Sequence, residues 1–196
     1  MASKLSQLAK QKTAAQLQTA SRDSYRWLSK KIGELNNPTG IASIINREDS
    51  RKTETFSRGK LYFFYYDPKT KSDLPYYDRF PLVLVLNIEA DGFTGLNLHY
   101  LPIAYRVAFL DKLMDFAVVD KNKDIQRMSV TYDILNTSRR FKEFKPCFKK
   151  YLMSNVQSRI LAVQPNEWDI AAFLPIQQFR KAPANKVWQE SLQEIR

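Results

Sequence analysis

The sequence has a single cysteine, Cys147, and a single histidine, His99, in 196 residues. A lone thiol closes no disulfide within the chain and builds no cysteine-rich zinc site, and it fits a reducing compartment. A lone imidazole excludes histidine-rich metal sites and most two-histidine chemistry. Glycine is scarce as well. The five glycines, Gly33, Gly40, Gly59, Gly92 and Gly95, form neither a GxGxxG nor a GxxxxGK phosphate loop. HExxH, CxxC and GxSxG are all missing. No apolar run approaches the roughly 20 residues of a membrane span. The opening MASKLSQLAKQKTAAQ lacks the apolar centre of a secretory leader. The expectation is a soluble, non-enzymatic protein with no cofactor and no membrane contact.

What is present is apolar mass and positive charge. Hydrophobic residues make up 44% and aromatics 13%, enough for a packed core, which excludes a wholly disordered chain. Lys and Arg number 31 against 20 Asp and Glu, a net +11. The excess is segregated: residues 1–60 carry net +7, residues 61–118 net −2, residues 119–160 net +6 and residues 161–196 net 0. Two basic segments thus flank a slightly acidic, aromatic-rich centre. Segregated positive charge is what a protein beside a polyanion carries, although a solvated surface or an acidic protein partner accounts for it equally.

The elements read as follows. Residues 3–35 have partly helical spacing, with Ser24 as a cap for a helix bearing Tyr25, Trp27, Leu28, Ile32 and Leu35. That helix ends at Asn36-Asn37-Pro38-Thr39-Gly40, and Asn46–Arg58 is polar enough to be a linker or exposed loop. LYFFYY (61–66) reads as a strand, LVLVLNI (82–88) as a strand buried on both faces, and Phe93–Tyr100 as its hairpin partner after the turn at Glu89–Gly92. After Pro102 the period becomes helical to about Val118. Further helices are expected at Ser129–Asn136, from Pro146 through Val156, from Pro165 to Phe173 with Asn166 opening it, and at 184–195. Strands followed by helices give an α+β class. The expected architecture is a small antiparallel sheet packed by helices, with an extended helical N-terminal arm. Residues 1–58 are read as basic helical arm and linker, and 59–196 as the α+β globular domain.

Candidate chemistry is thin. Asp67, Asp73, Asp78, Glu89 and Asp91 are the carboxylates a metal-dependent nuclease would need to cluster. Asp67 precedes Pro68 and Asp78 precedes Arg79, so a turn cap and a local ion pair fit them better. His99 reads as a core or boundary histidine within a strand. No catalytic residue and no metal ligand is assigned. The aromatics from Tyr62 to Tyr100 could stack single-stranded bases, but the local charge of −2 argues for core and protein interface instead. The interface candidates are Trp27, Tyr65, Tyr66, Tyr76 and Tyr77. Phosphate-contact candidates fall in the two basic segments. The arm offers Lys4, Lys10, Lys12, Arg22, Arg26, Lys30 and Lys31, and the later segment offers Arg139, Arg140, Lys142, Lys145, Lys149 and Lys150. Contacts of this kind confer affinity without sequence preference and weaken steeply with salt.

The strings GKLYFFYYDPK (59–69), LPYYDRFPLV (74–83) and GLNLHYLP (95–102) together resemble virion proteins of T4-like contractile-tailed phages, of the kind described as DNA-end protectors. The resemblance spans about residues 59–115. It implies a structural protein of the virion, made in the host cytoplasm and built into a multi-subunit assembly. Its partners would be other virion proteins and, as a candidate, double-stranded DNA at the genome end near the head–tail junction. A tail or baseplate subunit acting only through protein interfaces is the alternative, and a nuclease of DNA ends ranks last.

Overall fold

The computed structural model describes residues 52–53, 56–117, 132–137, 139–158, 160–164 and 167–196. The expected arm, with the candidates Arg22, Arg26, Trp27, Lys30 and Lys31, lies outside the described residues. So do the expected cap at Asn166 and the charged loop 121–127.

The strands are β1 (Lys52–Thr53), β2 (Leu61–Phe63), β3 (Tyr77–Asp78), β4 (Leu82–Ile88), β5 (Gly92–Asn97), β6 (Phe148–Leu152), β7 (Ile160–Val163) and β8 (Phe179–Arg180). Six form one antiparallel sheet in the order β1-β7-β2-β4-β5-β6, and β3 pairs with β8 in a separate two-stranded ribbon. The helices are α1 (Ile103–Ala117), α2 (Tyr132–Thr137), α3 (Phe144–Cys147), α4 (Trp168–Ala172) and α5 (Ala184–Ile195). The class is α+β, as the sequence predicts.

Side-chain alternation divides the sheet into two faces. Leu61, Phe63, Leu82, Leu84, Leu86 and Leu96 point to the face covered by α1, α4 and α5, where Val107, Leu110, Leu113, Phe173 and Val187 complete the main core. Each such side chain contributes about 1.5–3 kcal/mol on leaving water. Tyr62, Val83, Val85, Phe93, Tyr151 and Ile160 point to the other face and form a smaller, ring-rich cluster with Phe56 and Phe64. Phe93 and Tyr151 are direct cross-strand partners, their rings stacked with centroids 5.2 Å apart.

Several expectations need correction. The strand at 61–66 stops at Phe63, and Tyr66 makes only an isolated bridge to Val156. In the described part of the polar 46–58 stretch, Lys52–Thr53 pairs with β7 and Phe56 is buried, while Ser57 and Arg58 are exposed as expected. The strand through Tyr100 ends at Asn97, whose side chain accepts from the His99 amide and turns Leu98–Tyr100 into a single 3₁₀ turn. The expected helix from Pro146 to Val156 is one turn, α3, followed by the edge strand β6. The apolar residues Phe148, Tyr151 and Leu152 satisfy helical spacing as well as they satisfy a strand. Only pairing with β5 resolves that ambiguity. Helices α1 and α5 match the expected spans at 103–117 and 184–195.

β5 can lie this close to both neighbours because of two glycines. A methyl group at Gly95 would sit 2.6 Å from the Leu84 carbonyl oxygen, and one at Gly92 would overlap the Tyr151 carbonyl.

Candidate nucleic-acid interface

A groove of about 550 Å³ opens between β6 and the loop that joins β2 to β3. The loop is held from both ends. Lys71 pairs with Asp67 at 2.7 Å, and Asn155 Nδ2 donates to the Asp67 carbonyl at 2.8 Å. Lys181 Nζ donates to the carbonyls of Ser72 (2.7 Å) and Leu74 (2.9 Å), so a residue after β8 pins the loop's far side.

Tyrosines wall the groove. Tyr66, Tyr76, Tyr77, Tyr100 and Tyr151 line it, with Lys69 on the loop side and Lys149 and Lys150 on β6. Lys149 Nζ lies 4.2 Å from the Tyr100 ring centroid and donates to the Pro146 carbonyl at 2.8 Å. Burial lowers the Lys149 ammonium below its usual range, with nearby carboxylate and thiol groups opposing. Tyr100 also packs edge-on against Phe179 at 5.3 Å and beside Tyr76 at 6.0 Å. Burial, with the acceptor Glu190, pushes the Tyr76 phenol up to about 12, so it remains a donor across the physiological range. Lys150 bridges Glu89 (2.8 Å) and Asp91 (3.3 Å), which neutralise it locally.

Asp78 and Asn97 form part of the groove lining, but the Asp78 carboxylate is spent inward. Its Oδ1 accepts from the amides of Phe80 (3.0 Å) and Gln178 (2.9 Å). Its Oδ2 accepts from His99 Nδ1 (2.7 Å) and Asn97 Nδ2 (3.4 Å). The expected Asp78–Arg79 ion pair is replaced by this buried His99 partner, because Asp78 turns into the core while Arg79 stays part-exposed. His99 is a core residue as expected, in a turn rather than a strand. Among the described residues no group of three or more His, Cys, Asp or Glu side chains could hold a metal ion, and no helix is long and apolar enough to cross a membrane.

The groove sorts the predicted site residues. It brings together Tyr66, Tyr76 and Tyr77 from the interface set with Lys149 and Lys150 from the phosphate set. Tyr66 is largely core, its hydroxyl accepting from the Leu152 amide at 3.2 Å. Tyr65 lies away from the groove and packs on Phe80 with centroids 4.9 Å apart. Arg139 and Arg140 sit in a 3₁₀ turn, with the Arg140 guanidinium 5.7 Å from the Phe141 ring centroid. Lys142 and Lys145 are exposed. Sequence reasoning missed Lys69 and Lys181. The signal for Lys69 was a cation in a loop directly after an aromatic run, which means little until the loop's neighbours are known. The count of −2 for the centre led to core and interface for these aromatics, and Tyr62, Phe63, Phe64, Phe80 and Phe93 are core. Lys149 and Lys150 of the later basic segment nevertheless fold back beside the groove tyrosines.

No curated protein and no solved structure matches the chain. A family model described as phage T4 terminal DNA protecting protein matches residues 3–191, spanning both basic segments as well as the strings around Tyr62, Tyr76 and His99. The chain therefore belongs to the phage T4 terminal DNA protecting protein family.

Proposed function

We propose that this chain is a non-enzymatic virion protein that covers the ends of packaged DNA near the head–tail junction, holding the duplex through lysine and arginine contacts that do not read sequence. The observation that carries the reading is the family match over 3–191, which takes in every lysine and arginine of both basic segments rather than the aromatic centre alone. A protecting protein must stay on an end whatever its sequence, and contacts to phosphate do this because every base pair presents the same charge. The exposure of Lys142 and Lys145 supports such contacts. Other virion proteins would hold the protein at its station.

Binding of the full chain to linear duplexes of unrelated sequence, followed across a salt series, tests this. Equal affinities and a steep linear fall of log K with log salt are expected. The pair Lys142→Ala and Lys145→Ala should lower the slope by about 2. Exonuclease digestion of the same duplexes should slow when the protein is present. No binding at low salt by a folded sample would overturn the reading.

A further inference from the structure

We propose that the groove between β6 and the loop 68–77 takes an unpaired terminal nucleotide of a DNA end, its base against the Tyr76 and Tyr77 rings and its phosphate beside Lys69 and Lys149. This deepens the DNA-end reading above and rests on it.

Size comes first. About 550 Å³ lies in the range that encloses one small ligand and leaves no room for a duplex. Only a nucleotide freed from its partner strand could enter. Chemistry comes second. Tyr76 and Tyr77 are half-buried and both line the groove, and a phenol ring stacks on any base because every base has a π-face. Charge comes third. Lys69 is exposed and forms no ion pair among the described residues, and Lys149 stands over Tyr100 at the opposite wall. Lys150 is neutralised by Glu89 and Asp91, and Glu190 at the Tyr76 end is engaged by the phenol and by Lys186 at 3.9 Å. Asp78, the one carboxylate in the lining, has its oxygens filled by Phe80, Gln178, His99 and Asn97. The groove lining therefore offers an incoming phosphate two cations and no free carboxylate, with Glu194 the nearby anion outside the lining that acts on Tyr76 and Lys149. An interior duplex segment could use surface lysines but not this pocket, so occupancy would distinguish an end from the middle of the molecule.

The test uses the full chain, a linear duplex with short unpaired tails, and a relaxed closed circle of the same sequence, compared by competition. The wild type should favour the tailed linear form by about tenfold. Tyr77→Ala and Lys69→Ala should each remove most of that preference, leaving affinity for the circle and the unfolding temperature nearly unchanged. Preference retained in both variants would overturn the groove assignment. Equal affinity of the wild type for circle and linear DNA would also overturn it while leaving DNA contact standing. Binding to neither form would overturn the DNA-end reading, and this proposal with it.

Discussion

Asp78 and His99 meet at 2.7 Å, Oδ2 to Nδ1, with both side chains at most 1% exposed. One carboxylate thereby fastens β3, the 3₁₀ turn at Leu98–Tyr100 and the segment entering β8, since the Phe80 and Gln178 amides donate to its other oxygen. Burial lowers the His99 pKa below its ordinary value, and the Asp78 charge opposes without reversing this. Burial pushes Asp78 up, but His99 and the donated amides outweigh it and leave its pKa depressed. The pair is thus a carboxylate and a neutral imidazole whose Nε2 has no partner. The Trp188 indole, donating to the His99 carbonyl at 2.9 Å, secures the same turn against α5.

Acidification should destabilise the fold in two stages. A histidine depressed in the folded state binds its proton in the unfolded chain first, so its contribution is whole above about pH 6.5 and declines below that. Asp78 adds a second loss below about pH 4, where the unfolded carboxyl is protonated and the folded one is not. Thermal unfolding midpoints from pH 8 to pH 3 should fall in both windows. His99→Gln should flatten the upper one and shrink the lower, because His99 is the main group holding the Asp78 pKa down.

Arg106 should be the most sensitive buried residue. Fully inside, its guanidinium donates to the carbonyls of Leu98 (3.0 Å), Leu101 (3.3 Å), Ala172 (3.2 Å) and Leu174 (3.0 Å). Burial lowers its pKa to about 10, so it keeps its charge at neutral pH. Arg106→Met fills a similar volume but removes the donor from four buried carbonyls, of which the Leu98 oxygen still accepts from the Leu101 amide. Urea unfolding should show a loss of about 3 to 5 kcal/mol.

Gly92→Ala should cost about 3 kcal/mol, because the obstructing atom is the Tyr151 backbone carbonyl, which no rotamer change moves. Denaturant melts would detect this, and weaker amide-exchange protection across β5 and β6 would locate it.

The Cys147 thiol should be inert in the folded protein. Burial drives its pKa far above the usual thiol range, and only the thiolate reacts. A thiol reagent at pH 8 should label it only at the rate of unfolding. Fast labelling without denaturant would mean that α3 opens locally.

Much of the fold could be read from the chain, and the reasons are local. The run LVLVLNI has the composition of a buried strand, Glu89–Gly92 the composition of a tight turn, and the spacing from Val107 to Leu113 that of a helix face, each set by interactions within a few residues. β6 was hidden because Phe148–Leu152 is too short to distinguish a strand from a helix. Its state follows from Lys149 and Tyr151 pairing with Gly95 and Phe93, more than fifty residues away. β8 was hidden for the same reason, since two residues carry no period.

The candidate site divides along the same line. Composition and order along the chain determined that the protein is basic in two segments, ring-rich between them and α+β in class. These are sums over residues or patterns within one turn or strand, and they survive any later rearrangement of the parts. Only the tertiary structure decided that Lys149 stands over Tyr100, that Lys69 faces it across a groove, and that Asp78 spends its charge on His99 instead of on Arg79. The first two depend on the antiparallel pairing of β5 with β6. That pairing lays a late basic segment against an early aromatic one, at a sequence distance no local preference spans.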